Sequence, residues 1–232
     1  MEKPLVSVIM VVKNGERFLA EAIESILSQT YEPYEIIVVD GQSTDSTEKI
    51  AKSYKPVRYI RQTGQGVADA YNVGIDAARG EFVAFLSHDD LWAPNKLSVQ
   101  VDYLLSQPEI QYTVAKAKFF LEEGYSIPPG FKPELLEGDR VSRIMETLVA
   151  RKTLFEKIGQ FNPNLRTAED VDWFARAKDK NILMAVIPEV LLYKRIHDAN
   201  ISLSDIKLNN DLLLKILKQS IERQRSRRSE KE

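Results

Sequence analysis

Three apolar, β-branched runs in the first half of the chain each break off into acidic or amide side chains. Val6–Val12 ends at Lys13-Asn14-Gly15-Glu16, Ile36–Val39 at Asp40-Gly41-Gln42-Ser43-Thr44-Asp45, and Phe82–Leu86 at Ser87-His88-Asp89-Asp90. Ligands of open α/β sheets bind beyond the carboxyl ends of the strands, so three such ends predict one polar cleft. Carboxylates there, without a Walker-type lysine loop, suit a hard divalent cation, Mg2+ or Mn2+, that bridges phosphate oxygens. The competing reading of each acid is a helix N-cap, which suits Asp45 and Asp90. Asp40 and Asp89 are expected to work in the cleft, because all the strand ends agree.

The elements that must position these residues alternate between short strands and amphipathic stretches, the pattern of parallel strands joined by crossover helices. Phe18, Leu19, Ala22, Ile23, Ile26 and Leu27 recur at helical spacing through Ser28. Ser43, Thr44 and Asp45 predict the N-cap of a helix to about Tyr54, Arg58–Ile60 a strand, and Val67–Ala78 a helix stopped by Gly80. Pro94 predicts a helix start, with Leu97, Val101, Leu104 and Leu105 as its apolar stripe. Residues 1–107 thus read as a nucleotide-binding half. Beyond Gln107, Tyr112–Leu121 reads as strand, Gly124–Gly138 as a long loop, Arg151–Gly159 and Glu169–Lys180 as helices, and Ile182–Ile187 and Val190–Ile196 as extended. Residues 108–203 read as the second half of the same domain, which the resemblance given below makes its acceptor and catalytic half. The segment 204–232 adds an amphipathic helix over Ile206–Arg228 and a basic tail.

A chain of 232 residues, 44% hydrophobic, can bury a substantial core, and its formal charge of −2 offers no general field for nucleic acid. The absence of cysteine removes thiolate metal sites and a cysteine nucleophile and fits a reducing compartment. No apolar run approaches the ~18 residues of a membrane span, and the N-terminal residues lack a cleavage region, so a cytoplasmic address is the expectation. The last helix carries Leu213, Leu214, Leu217 and Ile221 beside Lys215, Lys218 and Arg223. It is expected to pack on the domain or on a partner such as a second copy, with peripheral contact to an anionic membrane as the other option.

The chain resembles glycosyltransferase family 2, the inverting enzymes of GT-A fold. The resemblance rests on Pro4–Asn14 with Glu16, Ser25–Tyr31, Glu35–Thr47, Gly74, Ala78–Glu81, Asp89-Asp90 with Pro94 and Lys96-Leu97, Gly159–Phe161, Glu169-Asp170 and Arg195–Ser202. Their order and spacing together are specific. It implies a GT-A nucleotide-diphospho-sugar transferase fold, a Rossmann-like mixed sheet flanked by helices, and transfer of one sugar from a nucleotide-sugar, UDP-linked by family habit, to a saccharide, lipid-linked or peptide acceptor.

By resemblance, Val12, Asn14, Glu16 and Asp40 hold the nucleotide base, and Asp69 and Asn72 line the nucleoside and phosphates. Asp89 is the metal-binding carboxylate of the family's DxD motif, His197 adds a metal or diphosphate contact with Arg195 beside it, and Asp170 is the catalytic base. Glu169 and Trp173 flank that base, Trp173 as a candidate wall of the acceptor pocket, and Asp172 is the alternative carboxylate. The motif departs from the family pattern at its first acid, which is Ser87, and Gly41 replaces a second acid after the second strand; the Ser87 hydroxyl can still hydrogen-bond a ribose or a metal-bound water, and Ser87 and His88 stay candidate substrate contacts. These two departures support a rival reading, a catalytically silent nucleotide-sugar-binding or scaffolding module. A nucleotidyl-handling enzyme would want a basic phosphate loop that Lys13 alone does not supply.

Overall fold

The computed structural model describes residues 3–198 and 206–229. In chain order the elements are β1 (Val6–Val12), α1 (Leu19–Leu27), β2 (Tyr34–Asp40), α2 (Thr47–Ser53), β3 (Val57–Arg61), α3 (Val67–Ala77), β4 (Phe82–Ser87), β5 (Leu91–Trp92), α4 (Lys96–Ser106), β6 (Tyr112–Leu121), β7 (Arg140–Val141), β8 (Val149–Arg151), α5 (Thr153–Ile158), α6 (Glu169–Asp179), β9 (Met184–Ile196) and α7 (Ile206–Ser229). One sheet runs β3-β2-β1-β4-β8-β6-β9-β5, with β7 on β6. β1 to β4 pair in parallel, β8 is antiparallel to β4 and β6, and β9 runs parallel to β6.

The parallel half is buried on both faces, as β1 shows by alternation. Ile9 and Val11 face a core shared with Tyr71 of α3, Phe155 of α5 and Trp173 of α6, while Val8 and Met10 face Leu19 and Ile23 of α1 and Leu97 of α4. α3 lies so close to β1 that a Cβ on Gly74 would stand 2.3 Å from Ile9 Cγ2. The register sets Val12 opposite Asp40 and Val11 opposite Ser87, which brings the ends of β1, β2 and β4 side by side, as the sequence predicts.

Several boundaries differ from the sequence reading. The two extended runs after Ile182 are one strand, β9, in which register against β6 slips past Pro188 and Glu189; proline has no N–H for the ladder, so the chain bulges there. Arg151 ends a strand, and the helix predicted from it begins at Thr153. The helix expected at Pro94 starts at Lys96. β5, β7 and β8 are each two or three residues long, too short for a periodic signal. α7 packs on α6, where Asp179 accepts hydrogen bonds from Ser220 and Gln224 and pairs with Arg223 at 2.7 Å. Among the described residues no helix is long and apolar enough to cross a membrane.

Candidate active site

The strand-end loops of β1 and β2 are laced together by their own polar groups. Asn14 donates its N–H to Ser43 Oγ at 2.7 Å and accepts from Thr44 N–H at 3.0 Å; Glu16 donates its N–H to Asp45 at 3.0 Å and accepts from Ser46 N–H at 3.0 Å. Asp45 also accepts from Thr47 N–H at 3.0 Å, but it stands one residue ahead of the N-cap of α2, which is Ser46. Asn14 adopts φ +52°, a left-handed turn that asparagine tolerates. Asn14 and Glu16 remain exposed at the end of β1.

Several residues expected to touch the donor are committed elsewhere. Asp40 is fully buried, and its carboxylate takes hydrogen bonds from Ser43 N–H (2.9 Å), Ser43 Oγ (2.6 Å) and Tyr59 Oη (2.6 Å), so it organises the loop rather than facing a base. Val12 is buried, with its carbonyl bonded to Gly41 N–H. Asn72 spends its whole amide on the backbone of Phe161, donating to the carbonyl and accepting from the N–H at 2.9 Å each. That contact pins the segment leading to α6 onto α3. Asp69 is half-buried and accepts from Gln62 Nε2 at 2.7 Å.

Arg195 is likewise corrected from a substrate contact to a structural cation. It is 3% exposed, and its guanidinium reaches Glu122, Glu21 (2.6 Å) and the Asp89 carbonyl (2.9 Å) between the rings of Phe18 and Phe120. Trp173 is fully buried and stacks on Phe155 with ring centroids 4.9 Å apart, so it belongs to the core and not to an acceptor pocket. Asp172 is buried and paired with Arg176 at 2.9 Å, which removes it as an alternative base.

What does converge is the end of β4 with β9 and α6. Asp89 Oδ2 lies 3.0 Å from His197 Nε2. Burial pushes the Asp89 carboxyl up, but the His197 hydrogen bond and the charges of His88 and Lys194 outweigh it and hold the group well below the usual range. His88 packs its ring on Gly15, and its burial favours the neutral imidazole. The fully buried Asp90 binds Lys194 Nζ at 2.8 Å and Arg195 N–H at 2.9 Å.

Sequence reasoning missed two members of this cluster. Glu146 comes from a 3-10 turn, Met145–Thr147, and accepts a 2.5 Å hydrogen bond from Ser87 Oγ, with Lys194 Nζ at 3.6 Å. Nothing periodic surrounds Glu146, and Lys194 looks like an ordinary outward strand lysine.

Glu169 and Asp170 form the first turn of α6, half-buried. Burial first, then Glu146, pushes Asp170 up to about 6 against the pull of Lys194; burial and then Asp170 push Glu169 up to about 7. The helix is entered through Ala168 at φ +61°, a left-handed conformation that strains a residue with a Cβ and sets where Asp170 starts.

Among the described residues no three His, Cys, Asp or Glu form a ready cation cage. Asp89 and His197 nevertheless bring a carboxylate oxygen and an imidazole nitrogen, both divalent-cation donors, to within 3.0 Å of each other. The carboxyls of Asp90, Glu146 and Asp170 share the single ammonium of Lys194 beside this pair, a balance that suits a cation. Asp89 and His197 are the residues that would hold such a cation.

The curled mixed sheet, flanked by helices, is that of GT-A glycosyltransferases. S. aureus TarS 1–349 in complex with UDP-GlcNAc superposes over 94% of this chain and 66% of its own, with TM-score 0.72 and 22% identity. A Pyrobaculum calidifontis mannosyltransferase in complex with GDP-Man and Mn2+ covers 84% of this chain and 57% of its own, with TM-score 0.64 and 21% identity. The family model "Glycosyl transferase family 2" matches residues 7–168, and the chain belongs to that family. An uncharacterized glycosyltransferase of Rickettsia typhi is 35% identical over 209 residues, 84% of this chain; the chain spans 65% of that relative's length.

Proposed function

We propose that this chain is a metal-dependent, inverting glycosyltransferase that moves one sugar from a nucleoside-diphosphate sugar to an acceptor hydroxyl. The observation that carries the reading is the strand-end pair Asp89 and His197, 3.0 Å apart, with Asp170 on the first turn of α6 near enough to feel Glu146 and Lys194, which with burial leaves its carboxyl pushed up to about 6. That carboxyl is still ionised at neutral pH and is a better base than a free carboxylate. Asp170 takes the acceptor hydroxyl proton as the acceptor oxygen bonds to the anomeric carbon. The bond from that carbon to the phosphate oxygen breaks on the opposite face, and the nucleoside diphosphate leaves.

Asp89 and His197 would hold Mn2+ or Mg2+, which supplies charge compensation for the leaving diphosphate. Asn14 and Glu16 at the end of β1 are placed to meet the nucleotide, and Asp40, Val12 and Asn72 act behind it by fixing the loops. UDP-sugars are the first donors to try, because the TarS fold match with UDP-GlcNAc is the stronger of the two, with GDP-mannose next. The acceptor is a saccharide, lipid-linked or peptide hydroxyl. The proposed setting is cytoplasmic, with α7 as a candidate contact to a membrane or a second copy.

Donor turnover, with water or a screened acceptor, should fall about 10²–10⁴-fold in Asp170→Asn. A wild-type protein that binds a nucleotide-sugar and never turns it over would favour the silent binding module.

A further inference from the structure

The DxD motif of this chain lacks its first carboxylate, yet a carboxylate has arrived at the same place from another segment. Ser87, at the motif's first position, donates its hydroxyl proton to Glu146 Oε1 at 2.5 Å. A hydroxyl that donates to a carboxylate gains negative character and keeps two lone pairs, so that with the Tyr71 hydroxyl as one neighbour the Ser87 oxygen still has capacity to accept another hydrogen bond. Glu146 is held for this purpose by backbone anchors. Trp92 Nε1 donates to the Glu146 carbonyl at 3.0 Å, and Gln100 Nε2 to the Thr147 carbonyl at 2.9 Å. Glu146 itself is only 8% exposed, and Lys194 at 3.6 Å is shared with Asp90.

We propose that Ser87 and Glu146 act as one unit in place of the missing acid, Glu146 being the positioning residue that makes the Ser87 oxygen an acceptor for the donor's ribose hydroxyl or a metal-bound water. This rests on the nucleotide-sugar reading above. It explains how the motif can lose an acid without losing its charge: the carboxylate moves from β4 to the 3-10 turn beside it, and the shorter serine makes the room.

The test is a relocation of the charge. Binding of UDP, GDP, dTDP and CDP is measured by calorimetry with Mn2+ at pH 8, for the wild type, Glu146→Gln, Ser87→Asp and the double variant, with thermal melts as the folding control. Glu146→Gln turns the hydrogen bond round, because the amide can now donate to Ser87, and should weaken metal-dependent binding about tenfold. Ser87→Asp alone sets two carboxylates in contact and should also weaken it. The double variant puts the acid back at the motif position with an amide to donate to it, and should recover affinity to within about threefold of wild type. A merely structural role for Glu146 cannot produce that recovery. Binding by Glu146→Gln within about twofold of wild type, or a double variant no better than Ser87→Asp, overturns the proposal. If Glu146→Gln does not fold, the double variant against Ser87→Asp decides alone. Failure of the wild type to bind any of the four nucleotides is a separate outcome that overturns the functional reading and the proposal with it.

Discussion

Lys194 is the cation on which the buried acids of the site depend, and replacing it with methionine gives a sharp test of that arrangement. Asp90 has no exposed side-chain surface and sits 2.8 Å from Lys194 Nζ, with Glu146 3.6 Å away on the other side. Removing one partner of a buried pair strands the other charge, which costs about 3–5 kcal/mol and lowers Tm by roughly 6–20 °C in a domain of this size. The pH dependence carries a definite sign. Burial raises the Asp90 carboxyl to about 7 even with Lys194 present, and the acids around Lys194 raise its own pKa above the ordinary lysine range. A lysine raised in the fold contributes stability below its unfolded pKa, so the wild type has that contribution throughout the neutral range. In Lys194→Met the Asp90 pKa rises further; the wild type shares the penalty from the unfolded value near 4 up to about 7, so the Asp90 part of the deficit opens as pH climbs above about 7. The deficit should therefore be largest above pH 7 and shrink towards pH 4–5. Urea melts of both proteins from pH 4.5 to 8.5 measure it, and Lys194→Met with Asp90→Asn should recover most of the loss at pH 8. A deficit under about 1 kcal/mol at pH 8, or one that does not change with pH, would refute the account of this cluster.

Further expectations separate residues that touch substrate from residues that hold the site. Turnover should rise with pH through an acid limb near 6, because Asp170 must be ionised, and Glu146→Gln should move that limb to lower pH by removing a neighbouring negative charge. Asp172→Asn should keep turnover within about threefold of wild type while lowering stability, unlike Asp170→Asn, since Asp172 only anchors Arg176. Asn72→Ala should lose about 1–3 kcal/mol from its two hydrogen bonds and leave nucleotide affinity within about twofold; a tenfold loss of affinity at unchanged Tm would restore it to the donor site.

The alternation of apolar strands and amphipathic helices made the parallel half legible, and the polar ends of β1, β2 and β4 do lie together because adjacent parallel strands end at the same edge. What pattern could not supply was the direction of each polar side chain. Asp40, Asn72 and Arg195 sit in motif positions, but each is used up inside the protein, by Ser43 and Tyr59, by the Phe161 backbone, and by Glu21 and Glu122. Trp173, three residues after Asp170, points into the core because that is the buried face of α6. Glu146 and Lys194 were invisible for the opposite reason: one lies in a short 3-10 turn, the other on an irregular strand, and only the tertiary fold brings them to Ser87 and Asp90.

In the proposed reading the strand ends of β1 and β4, with Asp89 and His197, bind a nucleoside diphosphate through a divalent cation. Calorimetric titration of the wild type and of Asp89→Ala with UDP and then GDP, each with Mn2+ and again with chelator, tests it most directly. The account predicts saturable binding of one nucleotide by the wild type, lost with chelator and weakened at least about tenfold in a folded Asp89→Ala. Equal binding with and without metal, or equal binding by Asp89→Ala, would contradict it.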